Sequence, residues 1–370
     1  MLEKVDPSVL GLSEERLGRI TRWLELQVGE GKLAGASALV ARRGKIAYQQ
    51  CAGFADKEEG KVFAPETIVR IYSMTKPITT VAAMMLYEEG CFQLDDPVAK
   101  YLPEFETTPV WSGGDAPISD VTTQRTPMLV KHLMNHTSGL TYGFMNSNPV
   151  DAQYREQAIE FQSRTESLAD ITKRLASIPL LCQPGSQWNY SVATDVLGRL
   201  VEVLSGMSLA DFFQQRIFAP LKMVDTGFSV PEQTQHRFAA LYAPKVGGDM
   251  SSVGGAATRV PQDQRGGLVL QEGSTQSVYF EAPGSHSGGG GLVGTIGDYA
   301  RFCQMLINEG ELDGERILAP STLRYMRTNQ LPDNSDMAGM GQPVWSETSY
   351  DGIGFGLGFA PRQIRNLVVR

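Results

Sequence analysis

Apolar residues recur at three- and four-residue spacing in two stretches of the first ninety positions. Leu17, Ile20, Trp23, Leu24 and Val28 share one face of a helix predicted over residues 15–31, which Gly29 and Gly31 end. Ile78, Val81, Ala82, Met85 and Leu86 do the same from Met74 to Glu89, where Gly90 closes a helix expected in the core. Between the two, Ala36–Ala41 and Ile46–Cys51 are β-prone runs flanking Arg42-Arg43-Gly44-Lys45, a hairpin signal. Asp95-Asp96-Pro97 reads as a helix start with Asp96 as N-cap and Pro97 at N1, in preference to a pair of catalytic carboxylates.

Residues 127–225 are mainly helical by pattern, including Ser167–Ser177 and Thr194–Leu204. Residues 229–283 are rich in Gly, Pro, Gln and Ser with weak periodicity, as long connections near a cleft are. Thr295 and Asp298 resemble a capping box opening a helix over Tyr299–Asn308, and Ser321 is expected to cap another. Gly352–Phe359, with glycine at every second position, reads as a strand.

Composition adds exclusions. With 42% hydrophobic and 20% charged residues, the 370-residue chain is ordinary for a globular enzyme. Its net charge of -8 and lack of a Lys/Arg cluster leave no footprint for nucleic acid. No stretch approaches the ~20 apolar residues of a membrane span, and Met1–Pro7 lacks the pattern of a secretory signal. Cys51, Cys91, Cys182 and Cys303 are widely spaced, as reduced thiols are, so a cytoplasmic location is expected. The oligomeric state is not legible.

The candidate chemistry centres on Ser73-Met74-Thr75-Lys76, which opens the core helix after the β-prone Ile68–Tyr72. A serine hydroxyl is a weak nucleophile until a base takes its proton, and residues three apart share a helix face, so Lys76 can reach Ser73. Lysine is a base only when neutral, a state that burial at a helix N-terminus favours. Turnover by such a pair is therefore expected to rise with pH to an alkaline plateau. Pro77 fits only a first turn and pins the helix start near Ser73, whose own N–H can then face an oxyanion. Trp188-Asn189-Tyr190-Ser191 adds a phenol able to relay protons between nucleophile and leaving group. His132 and His136, four apart, lack the glutamate of H-E-x-x-H and a third ligand, so neither a metal nor another cofactor is expected.

Together Ile68–Pro77, Leu94–Val98, His136-Thr-Ser-Gly-Leu140, Pro184-Gly185 and Tyr190-Ser191 resemble the successive blocks of serine carboxylesterases related to class C β-lactamases and penicillin-binding proteins, of the family VIII type. The resemblance runs from about residue 12 to about 359. It implies an α/β (α+β) fold of the β-lactamase/transpeptidase type, an antiparallel sheet flanked by helices plus a mainly helical lobe. Residues 1–370 would form one unit, with lobes at roughly 1–90 plus 280–370 and at 91–279. It also implies Ser73 as acyl-accepting nucleophile, Lys76 as its base and Tyr190 as proton relay, with Trp188, Ser191 and Val192 binding a small-molecule ester of a small or short acyl group.

Two departures matter. Lactam-cleaving relatives carry asparagine two residues after the tyrosine, where this chain has Val192, which favours esters. The family's third motif, Lys-, His- or Trp-x-Gly, is expected after Phe359, and Ala360–Arg370 contains nothing like it, so the chain reads as C-terminally truncated. His286-Ser287-Gly288 imitates that motif inside a glycine run of structural character. Three readings stand: a carboxylesterase; a β-lactamase, D-alanyl peptide hydrolase or acyltransferase of the same fold; and an inactive homologue lacking one oxyanion donor, whose loss typically costs ~10²–10³ in rate.

Overall fold

The computed structural model describes residues 2–246, 266–341 and 350–361. Helix α1 (Glu14–Gly29) is capped by Ser13, whose hydroxyl accepts from the Arg16 N–H. Its buried face is narrower than the spacing suggests. Leu24 and Gln27 are buried, whereas Trp23 is 55% exposed, because α1 meets the sheet along one flank, where Thr21 Oγ1 bonds Tyr48 Oη at 2.9 Å. Strands β1 (Gly35–Arg42) and β2 (Lys45–Asp56) form the expected hairpin. Arg43 and Gly44 both have positive φ, the backbone whose twist suits a two-residue turn. Strand β3 (Lys61–Val62) joins the far edge of β2, and among the described residues β1 has no strand on its other side.

Strand β4 (Val69–Arg70) leads into helix α2 (Thr75–Glu88). There follow β5 (Val110–Trp111), β6 (Val121–Thr122), α3 (Val130–Met134), α4 (Pro149–Glu156), α5 (Leu168–Leu175), α6 (Ala193–Ser205), α7 (Leu209–Phe213) and α8 (Ala219–Leu221). A hairpin of β7 (Leu241–Pro244) and β8 (Leu268–Glu272) precedes β9 (Val293–Gly294), α9 (Ile296–Ile307) and α10 (Pro320–Met326). Helix α2 is the axis of the core. Ile78, Val81, Ala82 and Met84 are wholly buried, and the helix packs on α6, whose Val196, Leu197 and Leu200 are wholly buried in the same cluster. Each fully buried large aliphatic side chain contributes ~1.5–3 kcal/mol, so the segment carrying the S-x-x-K sequence is also among the most firmly held. The central cluster runs without a break from Ile71 to Leu357.

Three local expectations are corrected. Asp96 caps no helix: Pro97 precedes a single 3-10 turn, Val98–Lys100, and the Asp96 carboxylate accepts from the Gln93 N–H, Tyr101 Oη and Lys100 Nζ. Ser321 lies inside α10, which starts one residue earlier because Pro320, with no N–H to satisfy, takes N1 behind Ala319. Gly352–Phe359 is not a strand. Its N–H groups are used singly, Gly356 to Phe359 O, Leu357 to Met326 O and Gly358 to Met134 O. Glycine serves close approach here rather than alternation: Gly358 has φ +78°, and a Cβ on it would lie 2.6 Å from Thr80 Oγ1 on α2. Gly358→Ala is therefore expected to lower stability by at least ~1 kcal/mol, read as a lower urea midpoint at unchanged slope. Residues 362–370, part of the stretch searched for the third motif, lie outside the described residues.

Candidate active site

Ser73 stands where strand becomes helix. Val69 and Arg70 pair with Gly294 and Val293, the Ile71 N–H reaches Leu292 O at 3.0 Å, and the chain then reverses through a 3-10 turn at Tyr72–Met74. Tyr72 makes that reversal with φ 44°, a left-handed conformation costing a non-glycine residue ~1–2 kcal/mol. The surrounding pairings hold it there, and the result is an exposed Ser73 at the mouth of α2.

Two polar side chains converge on it. Lys76, one helical turn on and 6% exposed, donates from Nζ to Ser73 Oγ at 3.3 Å, to Tyr142 Oη at 2.9 Å and to the Gly289 carbonyl at 2.6 Å. Tyr190 donates its phenol to Ser73 Oγ at 2.5 Å. Its ring and that of Tyr142 flank the amine, with centroids 4.7 and 5.3 Å from Nζ. Desolvation, with the nearby Asp195 and Tyr190 behind it, pushes the Tyr142 phenol well above the ordinary tyrosine value, so it stays protonated. The S-x-x-K and tyrosine segments, read separately from the sequence, thus meet at one oxygen.

Ser73 faces a cavity of about 1140 Å³. Tyr142, Phe144, Phe161 and Val192 form one apolar wall, and Tyr242 and Val269 of the β7–β8 hairpin form another. Tyr142 and Phe144 stack at 4.6 Å, giving that wall a flat aromatic face.

A family model described as Beta-lactamase matches residues 20–368. The chain belongs to that family. Protein Rv1367c of Mycobacterium tuberculosis (strain ATCC 25618 / H37Rv) is 35% identical over 329 residues, 88% of this chain and 74% of the relative. Esterase EstB of Burkholderia gladioli is 32% identical over 356 residues, 95% and 82% of the two chains. The solved structure of EstCE1, a hydrolase with promiscuous acyltransferase activity, superposes with a TM-score of 0.71 at 27% identity, covering 94% of this chain and 83% of that one. The β-lactamase/transpeptidase-like α/β fold expected from the sequence is the fold observed.

Within this Beta-lactamase-family chain the other expected contacts divide. Val192 lines the cavity, but among the described residues Trp188 and Ser191 do not. Trp188 is packed behind the wall on Leu331 and Met337, and Ser191 Oγ is spent on His136 Nδ1 at 3.2 Å. The two histidines engage separate partners: His132 Nδ1 accepts from the Leu129 N–H, while His136 Nδ1 bonds Ser191 Oγ. Among the described residues no cluster of three metal-ligating side chains occurs, and no helix is long and apolar enough to cross a membrane. His286-Ser287-Gly288 is structural, with His286 edge-on to Phe228, Ser287 bonded to Asp195 and the Gly288 carbonyl accepting from Thr79.

The sequence reading missed Tyr142, Gly289 and Asp195. Tyr142 follows His136-Thr-Ser-Gly-Leu140 by two residues and Asp195 follows Tyr190 by five, so both sat beside blocks already singled out.

His136 also yields a pH prediction. Burial, with the Lys76 charge second, pushes its imidazole down to about 3. Held neutral when folded and free to protonate when unfolded, it contributes stability that is fully present above its unfolded value near 6.5. That contribution is lost as pH falls towards about 3, at up to ~1.4 kcal/mol per pH unit. Asparagine tolerates the left-handed backbone found at His136, φ 59°. In His136→Asn the fall of the urea midpoint between pH 6.5 and 4 is expected to be shallower than in the wild type.

Proposed function

We propose that this chain is a serine hydrolase that cleaves carboxylic esters through an acyl-Ser73 intermediate. The observation that carries the reading is the convergence of Lys76 Nζ and Tyr190 Oη on one exposed serine oxygen beside an apolar cavity. Ser73 Oγ attacks the ester carbonyl as its proton passes to Lys76 Nζ, which contacts it. Tyr190, in contact with the same oxygen, passes a proton to the departing alkoxide as its bond to carbon breaks. Water then adds to the acyl carbon and gives a proton to the Tyr190 oxygen, the bond from that carbon to Ser73 Oγ breaks, Lys76 returns its proton to Ser73, and the acid leaves.

Val192 supports esters over lactams, since the cavity wall there offers a buried aliphatic side chain and no amide to hold a substrate amide. A volume of about 1140 Å³ far exceeds what a short acyl group fills. The room suits a bulky, apolar alcohol moiety, and equally an alcohol in place of water as acyl acceptor; EstCE1 is described as a hydrolase with promiscuous acyltransferase activity.

The test is covalent. A fluorophosphonate probe is expected to label Ser73 alone, mapped by peptide mass, and ester turnover is expected to vanish in step with labelling. Label on another serine, with turnover surviving Ser73→Ala, overturns the reading. Parallel assays with an ester, a cephalosporin and an added alcohol acceptor separate hydrolysis from lactam cleavage and acyl transfer. A folded wild type that neither labels nor turns over would be the inactive homologue.

A further inference from the structure

The shortest contact of the Lys76 amine is with a backbone carbonyl, that of Gly289, and not with the serine. Where that carbonyl sits therefore decides where the amine sits. The glycine run is pinned along α2 by Thr79 Oγ1, which donates to Gly288 O at 2.7 Å, and by the Leu292 N–H, which donates to Thr75 Oγ1 at 3.2 Å. From behind, one carboxylate oxygen holds it. Asp195 Oδ1, in the first turn of α6, accepts from the Gly289 N–H at 2.9 Å and from Ser287 Oγ at 2.5 Å, and Ser287 Oγ accepts from the Gly290 N–H at 3.0 Å. No side chain fits between them, because a Cβ on Gly289 would lie 2.3 Å from Asp195 Oδ2.

We infer that Asp195 and Ser287 are positioning residues, clamping the Gly289 peptide so that its carbonyl holds Lys76 Nζ against Ser73. The inference rests on the acyl-Ser73 reading and extends it to two residues outside the reacting trio.

A carboxylate that is 2% exposed and has, among the described residues, no ion-pair partner in contact is costly to keep. Burial pushes the Asp195 carboxyl above its ordinary value, while attraction to Lys76 and the Ser287 and Gly289 donors pull the other way. Tyr142, Tyr190 and the neutral His136 are the other titratable groups around the amine. The Gly289 N–H itself is anchored by Asp195. Lysine has a long flexible stem, and a displacement of about 1 Å in a reacting group can cost ~10²-fold in rate.

The test uses the whole chain and the rate of fluorophosphonate labelling at Ser73, normalised to the folded fraction, with kcat and KM for one ester. Asp195→Ala removes the clamp and is expected to slow labelling and kcat at least ~10-fold while KM stays within ~3-fold. Asp195→Asn keeps an acceptor oxygen in place and is expected to recover most of that loss. Ser287→Ala, which removes one of the two donors, is expected to lie between. A folded Asp195→Ala protein labelled at the wild-type rate overturns the inference, as does an Asp195→Asn protein as slow as Asp195→Ala. Should Asp195→Ala not fold, Ser287→Ala decides alone, and labelling within ~2-fold of wild type overturns the clamp. A wild type unlabelled at Ser73 would instead sink the esterase reading itself, and the clamp with it.

Discussion

Lys76→Met is expected to fold and to acylate Ser73 at least ~10³-fold more slowly than the wild type. Methionine matches lysine in length and helix propensity, so α2 keeps its shape. What disappears is the amine that touches Ser73 Oγ, Tyr142 Oη and the Gly289 carbonyl. The carbonyl and the phenol each lose one donor, a cost of ~1–3 kcal/mol for a buried group left unsatisfied. The change also relieves the site of a buried amine, which offsets part of that cost. Stability therefore changes little, and activity changes greatly, because Ser73 keeps Tyr190 as neighbour and loses the only amine in contact with it among the described residues. Losing a general base typically costs ~10²–10⁴, and losing the anchor of the network adds to it. Rates of fluorophosphonate labelling and ester hydrolysis, beside a urea melt, check both halves. A melted variant would make the amine structural, and wild-type rates would remove Lys76 from the mechanism.

The parts of the site legible in the sequence were those written in short-range spacing. Ser73 and Lys76 are one helical turn apart, and the periodic apolar positions from Ile78 to Leu86 announced the helix that carries them, which is buried throughout that stretch. Tyr190 was legible as the phenol of a second motif with no spacing that ties it to Ser73, and the structure brings its hydroxyl to that serine across 117 residues of chain. Gly289, 213 residues from Lys76, acts through its peptide, so no side-chain pattern could point to it. Asp195 was hidden for another reason. An acidic residue in the first turn of a helix is ordinary, and only the tertiary contact with Ser287 and Gly289 distinguishes this one. The errors have a common physical source as well. Asp96, Ser321 and the glycines of 352–359 all fit local rules for caps and strands, and in each case a competing neighbour took the group: Tyr101 and Gln93, Pro320, and the carbonyls of Met326 and Met134 with the Thr80 side chain.

Tyr190→Phe and Tyr142→Phe are expected to separate two phenols that flank the same amine. Each substitution removes one oxygen and leaves a ring of the same shape, so the packing of Tyr190 on His136, with centroids 5.1 Å apart, and of Tyr142 on Phe144 survives. Tyr190 Oη lies 2.5 Å from Ser73 Oγ and is placed to move a proton between nucleophile and leaving group, so its loss is expected to lower kcat by ~10²–10⁴. Tyr142 Oη bonds the lysine, at 2.9 Å, and its phenol stays protonated, which suits a hydrogen-bond partner that orients the amine and not a base. A loss nearer ~10-fold is expected for Tyr142→Phe, because the Gly289 carbonyl still holds the amine. Groups that act as one unit are non-additive. Adding Tyr190→Phe to Lys76→Met is therefore expected to slow labelling far less than it slows the wild type, since the relay has no base left to serve. Tyr142→Phe as the more damaging single change would transfer the relay to Tyr142, and full additivity in the double variant would show that lysine and tyrosine act on separate steps.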